Sequence, residues 1–390
     1  MTCKFFDEEN RSIDICFNTR LQSYEDNYTN VEAHLPSSWF REAYETISKW
    51  PDYEPTPLIQ LKNLAEILRV ASVEYKNEAL RFGQMSFKAL GGAYAVHKCL
   101  SNLKKSQPGL SNSDVTFTSA TDGNHGRSVA WGAKLLGCKS VIFIHEKVSE
   151  FREKKLEELG AKVIRKGSNY DESVNIANDA AIYHGWHLIS DTSYEGYTDV
   201  PKYVMHGYEV MAHEALKLQG SMPTHVFLQT GVGSLAGAVT ANLFRNLTYL
   251  PHIVLVDPSE ADCWVRSVRE EKPTNCNGEL DTIMAGLACG TVSKIAWNIL
   301  STSVSAAMSI SDTDAANGMR CLKFCKRQNV NIEAGESATA GLVGMIKCAT
   351  NADTRKKLKV GKDSRILIIG SEGKTDPKIY EQIISNKIAV

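Results

Sequence analysis

From about residue 113 the chain settles into a repeating beat in which short apolar runs alternate with longer amphipathic stretches. The apolar runs 115–118, 141–145, 162–165, 187–190, 225–229, 252–257 and 365–369 are rich in Val, Ile, Leu and Phe. They do not alternate apolar with polar residues, as a half-exposed strand does, so each is expected to be covered on both faces. The stretches 126–136, 150–159, 170–183 and 202–218 carry helical spacing, with Ser149 as an N-cap and Gly160 as a stop. Strand and helix in alternation imply an α/β fold of open, mostly parallel twisted sheets covered by helices, with enough strands for two sheets. Ahead of the beat, 1–50 reads as an irregular arm with short helices. Trp50-Pro51 and Pro55-Thr56-Pro57 mark a loop, and 59–76 shows helical spacing.

A formal net charge of -1, with no basic stripe, gives a polyanion no electrostatic footprint, so no nucleic-acid partner is expected. No apolar run approaches about 18 residues, and the first ten turn acidic before any apolar core. Neither a membrane span nor a secretory signal is therefore expected. The ten cysteines fit neither a disulfide framework nor a zinc site; Cys321 and Cys325, four apart, lack a second pair. Free thiols in a reducing cytoplasm, and no metal, follow from that pattern.

Four segments carry chemistry. Ser86-Phe87-Lys88-Ala89-Leu90-Gly91-Gly92 sets a lysine among apolar neighbours at the start of a helix. Desolvation lowers an amine's proton affinity and makes it a nucleophile toward carbonyls, although a helix-start lysine whose head reaches water has the same local sequence. Thr121-Asp122-Gly123-Asn124-His125-Gly126-Arg127 follows a strand and opens a helix, where free amides bind anions; it also reads as an ordinary turn. Thr230-Gly231-Val232-Gly233-Ser234-Leu235-Ala236-Gly237 follows another strand and presents backbone amides to a phosphate. It also matches the G-x-G-x-x-A fingerprint of nicotinamide dinucleotide sites, with Asp257 ending the next strand, so the loop alone does not name the cofactor. Gly370-Ser371-Glu372-Gly373, after the last apolar run, offers a hydroxyl suited to a neutral pyridine nitrogen, or a plain polar turn.

Taken together and in this order, the four segments resemble fold type II pyridoxal-phosphate enzymes. The resemblance assigns Lys88 to the Schiff-base lysine with Phe87 beside it, and Asn124 to the cofactor's phenolic oxygen. It assigns Gly231, Val232, Gly233, Ser234 and Leu235 to the phosphate cradle, and Ser371 to the pyridine nitrogen. More specific strings are similar to the diaminopropionate ammonia-lyase family. These are Thr121-Asp122-Gly123-Asn124-His125-Gly126-Arg127, Asp191-Thr192-Ser193-Tyr194-Glu195-Gly196-Tyr197, Ile283-Met284-Ala285-Gly286-Leu287-Ala288-Cys289-Gly290 and Gly335-Glu336-Ser337-Ala338. Tyr194 stands where that family often has tryptophan.

The resemblance implies α,β-elimination of D- and L-2,3-diaminopropionate to pyruvate and two ammonia. Lys88 and Asp122 would act as bases on opposite faces of the substrate, and Asp191 would hold its second amine. His125 is expected to pack beside the cofactor ring without titrating. The resemblance also implies a homodimer, an inserted small domain at 107–189 within a large cofactor-binding domain at 1–106 and 190–390, and site-proximal loops carrying Cys263 and Cys289, expected as free thiols. The competing readings are a serine or threonine dehydratase on the same cofactor, and an NAD-dependent oxidoreductase built on Gly231, Gly233 and Asp257.

Overall fold

The computed structural model describes residues 13–121, 123–168, 170–324 and 331–385. Asp122 and Cys325 lie outside the described residues. The described strands are β1 (Ile15–Phe17), β2 (Leu58–Gln60), β3 (Ser72–Asn77), β4 (Thr116–Ala120), β5 (Lys139–Ile144), β6 (Lys162–Arg165), β7 (His187–Leu188), β8 (His225–Gln229), β9 (His252–Pro258), β10 (Ala306–Ile310) and β11 (Arg365–Gly370). They form a seven-stranded sheet of order β1-β10-β9-β8-β11-β3-β2 and a four-stranded sheet of order β6-β5-β4-β7. Pairing is parallel except at the two ends of the larger sheet, where β1 and β2 run antiparallel.

The chain divides into two compact units. The first comprises the residues up to His34, Pro55–Leu80 and those from Met211 onward, and it holds the seven-stranded sheet. Its core lies where Val254, Val256, Met308, Ile366 and Ile368 meet Leu342, Val343 and Ile346 of the helix Ala340–Thr350. Burying such side chains contributes roughly 1.5–3 kcal/mol each. Strands β8 and β11 are buried along nearly their whole length, which accounts for their unbroken apolar runs. The second unit comprises Leu35–Glu54 and Arg81–Val210 and holds the four-stranded sheet. The segment 107–189 falls inside it. Ala120, Val141, Phe143 and Ala177 form an apolar cluster there.

Two expectations need correction. The stretch 59–76 is not one helix: a short helix, Lys62–Leu68, ends at Arg69 in the left-handed region (φ 53°), and the chain then enters β3. The charged residues of β3 made it look like a solvated helix face. In fact Lys76 is buried, 2.6 Å from Glu214, and Glu74 accepts a hydrogen bond from Gln219 at 2.7 Å. The N-terminal arm is more regular than expected, with 11-residue helices at Tyr24–His34 and Ser37–Ile47. The cap at Ser149 is present: its side chain accepts from the Arg152 N–H, and the helix runs Glu150–Glu158.

Candidate active site

In the second unit, the reactive-lysine segment is positioned by a turn and by close helix packing. Phe82 and Met85 sit in the left-handed region (φ 49° and 58°), and Ser86 Oγ accepts from the Lys88 N–H at 3.3 Å where the helix Lys88–Ser106 begins. The Phe87 ring packs 4.5 Å from that of Tyr208, on the helix Asp199–Leu218. A Cβ on Gly207 would come 2.6 Å from the Gly91 Cα, so the two helices touch backbone to backbone just beyond the lysine.

Lys88 Nζ lies 2.8 Å from Asp191 Oδ2, and Asp191 is buried in the segment that follows β7. That segment is pinned by Tyr197, whose hydroxyl donates to the Leu188 carbonyl (2.9 Å) and accepts from the Ser190 N–H (3.1 Å). Burial alone would raise the Asp191 carboxyl. The Lys88 ammonium, the His125 ring and the Lys88 hydrogen bond reverse this and hold it well below the usual carboxylate range. Asn124 opens the helix Asn124–Leu135, and Thr121 Oγ1 accepts from the Gly123 and Gly126 N–H groups, shaping the turn. His125, buried in the same turn, places Nδ1 3.7 Å from Asp191 Oδ2 and Nε2 3.1 Å from the Ile189 carbonyl. The sequence places His125 beside the cofactor loop but carries no signal of this contact, which depends on the segment after β7 folding back on the turn. Tyr194, half exposed, stacks on Tyr197.

In the first unit, the loop 230–235 leads from β8 into the helix Ser234–Asn246. Its carbonyls are taken by protein donors. That of Gly231 accepts from the Trp264 indole at 2.9 Å, that of Val232 from the Ser293 N–H at 2.9 Å, and that of Gly233 from the Gly237 N–H at 2.8 Å. Because a trans peptide sets its N–H opposite its carbonyl, the loop's N–H groups turn the other way. They lie at the start of a helix whose N-cap, Gly233, has no side chain to cap it, an arrangement suited to an anion. Gly233 has φ +98°, and a Cβ there would fall 2.2 Å from the Trp264 ring, so only glycine fits. Around Gly231, an added Cβ would meet Cys289 Sγ and Leu287 Cα at 3.1 Å. Cys263 and Cys289 are not joined in a disulfide, and burial pushes the Cys263 thiol up.

Ser371 is buried at the end of β11. Its neighbour Glu372, also buried, accepts the Ser337 N–H on Oε1 (3.3 Å) and the Gly335 N–H on its carbonyl (3.1 Å), locking the turn 335–337 to the turn 371–373. Sequence reasoning passed over Glu372; as one polar residue in a turn it gave no signal of burial. Ser337 Oγ is buried and lacks a hydrogen-bond partner among the described residues; it would lie 3.1 Å from a Cβ at Gly286. A buried hydroxyl without a partner is costly, and it suits a ligand with polar atoms to share.

Asp257 does not suit a ribose. It is fully buried; one oxygen accepts from Thr230 Oγ1, and the other accepts the Trp264 and Val265 N–H groups at 2.8 and 3.1 Å. The acidic group that a dinucleotide site needs at this strand end is therefore consumed in capping the helix Cys263–Arg269. Burial pushes its carboxyl up to about 8, against those three donors. This argues against the NAD-dependent reading. Among the described residues no cluster of metal-ligating side chains is present, and no helix is long and apolar enough to cross a membrane.

Each unit by itself carries groups that suit part of an aldehyde cofactor bearing a phosphate, the second an amine beside a carboxylate and the first a glycine loop at a helix start. The chain belongs to the pyridoxal-phosphate dependent enzyme family, whose pattern it matches over residues 49–372. The relatives are more specific. The chain is 38% identical over 351 residues to diaminopropionate ammonia-lyase of Escherichia coli (strain K12), covering 85% of this chain and 87% of that one. It is similar in fold to the Escherichia coli diaminopropionate ammonia lyase solved with an aminoacrylate-PLP azomethine reaction intermediate, with a TM-score of 0.87 and 35% identity over 97% of this chain and 98% of the other. The same lyase solved with D-serine matches with a TM-score of 0.86 and 33% identity over the same shares.

Proposed function

We propose that this chain is a diaminopropionate ammonia-lyase, converting D- and L-2,3-diaminopropionate and water to pyruvate and two ammonia. The observation that carries the reading is the Lys88–Asp191 contact of 2.8 Å in a chain 38% identical to a lyase of that name. Pyridoxal phosphate, when bound, would supply an electron sink that weakens the substrate's Cα–H bond. Lys88 holds the cofactor until substrate arrives and then, as a free amine, takes the Cα proton from one face. Asp122 takes it from the opposite face, which accounts for acceptance of both enantiomers. Asp191, kept ionised, binds the ammonium on the β-carbon, a charge that a hydroxyl substrate lacks. Loss of the proton and of the β-amine leaves an enamine, and water replaces its nitrogen to give pyruvate.

By family likeness, Phe87 would flank the lysine, Asn124 would donate to the cofactor's phenolic oxygen, the N–H groups of Gly231, Val232, Gly233, Ser234 and Leu235 would hold its phosphate, and Ser371 would serve its pyridine nitrogen. Family likeness supports a homodimer working in the cytoplasm. The test is pyruvate release from D- and L-diaminopropionate set against D- and L-serine, with borohydride trapping and mass spectrometry to find the modified lysine. The expected result is strong preference for diaminopropionate and an adduct on Lys88; preference for serine sinks the assignment. Asp122→Asn is expected to harm the D-enantiomer more than the L-enantiomer.

A further inference from the structure

His125 lies in the second unit between two acceptors. A carbonyl oxygen can only accept, so Nε2, at 3.1 Å from the Ile189 oxygen, must carry a hydrogen. If the ring were neutral, Nδ1 would then turn a lone pair toward Asp191 Oδ2, 3.7 Å away, which is repulsive. If it is protonated, Nε2 still donates to the Ile189 carbonyl and the positive ring stands at ion-pair distance, 3.7 Å, from the carboxylate. Asp191 is buried, and an isolated carboxylate there is expensive. Among the described residues, Lys88 Nζ at 2.8 Å and the His125 ring at 3.7 Å can each face it with a positive charge. Once Lys88 is joined to an aldehyde, or has given up its proton to act as a base, one of the two is lost.

The geometry points to His125 as a positioning residue that remains an imidazolium, anchored on the Ile189 carbonyl, and keeps Asp191 ionised and in place when Lys88 is neutral. This rests on the proposed use of Lys88 and Asp191. Among the described residues Tyr197 and Tyr208 also couple to Asp191; burial shifts both upward, so neither competes for the proton. Arg127 shares the helix of His125, and Asp122, outside the described residues, is kept unchanged in every variant.

The test follows the ring nitrogens of His125 by NMR in protein labelled at its ten histidines, with His125→Gln identifying the resonance. The expected midpoint lies above the ordinary value of about 6.5. It should rise on loading with pyridoxal phosphate, because a neighbouring positive charge disappears, and fall toward the ordinary value in Asp191→Asn. A midpoint at or below the ordinary value, or one that Asp191→Asn leaves unmoved, overturns the inference. In kinetics, His125→Gln retains a hydrogen-bond donor but no charge. The acidic limb of kcat/KM should then move to higher pH by about one unit as Asp191 loses a neighbouring cation; an unmoved limb counts against the role. Trapping separates the two proposals. An adduct absent from Lys88 removes the functional reading, while the titration of the cofactor-free protein still tests the His125–Asp191 coupling.

Discussion

Lys88 Nζ and Asp191 Oδ2 stand 2.8 Å apart, with side-chain exposures of only 20% and 9%. At that distance and burial the carboxylate is fixed as an anion beside the amine. Under the proposed function, this anion would receive the substrate's second ammonium when Lys88 is engaged elsewhere.

Asp191→Asn should lower turnover of diaminopropionate by about 10²–10⁴-fold, the range for loss of a placed acid–base group. The residual turnover of serine should fall less, because a hydroxyl leaving group brings no charge to be held. The ratio of the two rates in the variant and the parent checks this; equal losses would show Asp191 to be a support for Lys88 alone.

Asp257 gives a pH dependence of the opposite sign to that of Asp191. Its carboxyl is raised to about 8 in the fold, from an ordinary value near 3.8. Between those values the unfolded chain releases a proton that the folded chain keeps, so this group's contribution falls as pH rises from about 4 to about 8. Asparagine at 257 can accept both N–H groups and donate to Thr230, and it does not titrate. The melting temperature of Asp257→Asn should therefore gain on that of the parent between pH 5 and pH 8. A constant difference across that window would mean that the three donors keep Asp257 ionised.

Ser337→Ala separates a ligand-binding hydroxyl from a packing one. The hydroxyl has no partner among the described residues, so its removal should leave the cofactor-free protein as stable or slightly more so. Affinity for pyridoxal phosphate, measured by equilibrium titration, should weaken by about 5–10-fold, the worth of about one hydrogen bond. Unchanged affinity would place Ser337 outside the ligand's reach.

Much of the fold was legible because buried parallel strands write themselves as unbroken apolar runs. The run HVFLQ is β8 without adjustment; Lys162–Arg165 is β6, although as an edge strand it is only partly buried. What escaped was the strand that hides charge. In β3, Lys76 and Glu74 are satisfied by Glu214 and Gln219, more than a hundred residues away, and no local pattern announces such partners. β10, Ala306–Ile310, was missed because small alanines and a serine interrupt its apolar signal. At the site, the motifs located Lys88, Asn124 and the glycine loop by type. The clamp of Glu372 on Ser337 and the hold of His125 on Asp191 depend on tertiary closure and could not be read locally.

The indole of Trp264 grips the carbonyl of Gly231 and lies against Gly233. An anion drawn onto the opposite side of those peptides polarises them and alters the field at the ring. The protein thus carries its own optical gauge: emission from that tryptophan, isolated by replacing the other five with phenylalanine, should report arrival of inorganic phosphate at the loop with no added dye.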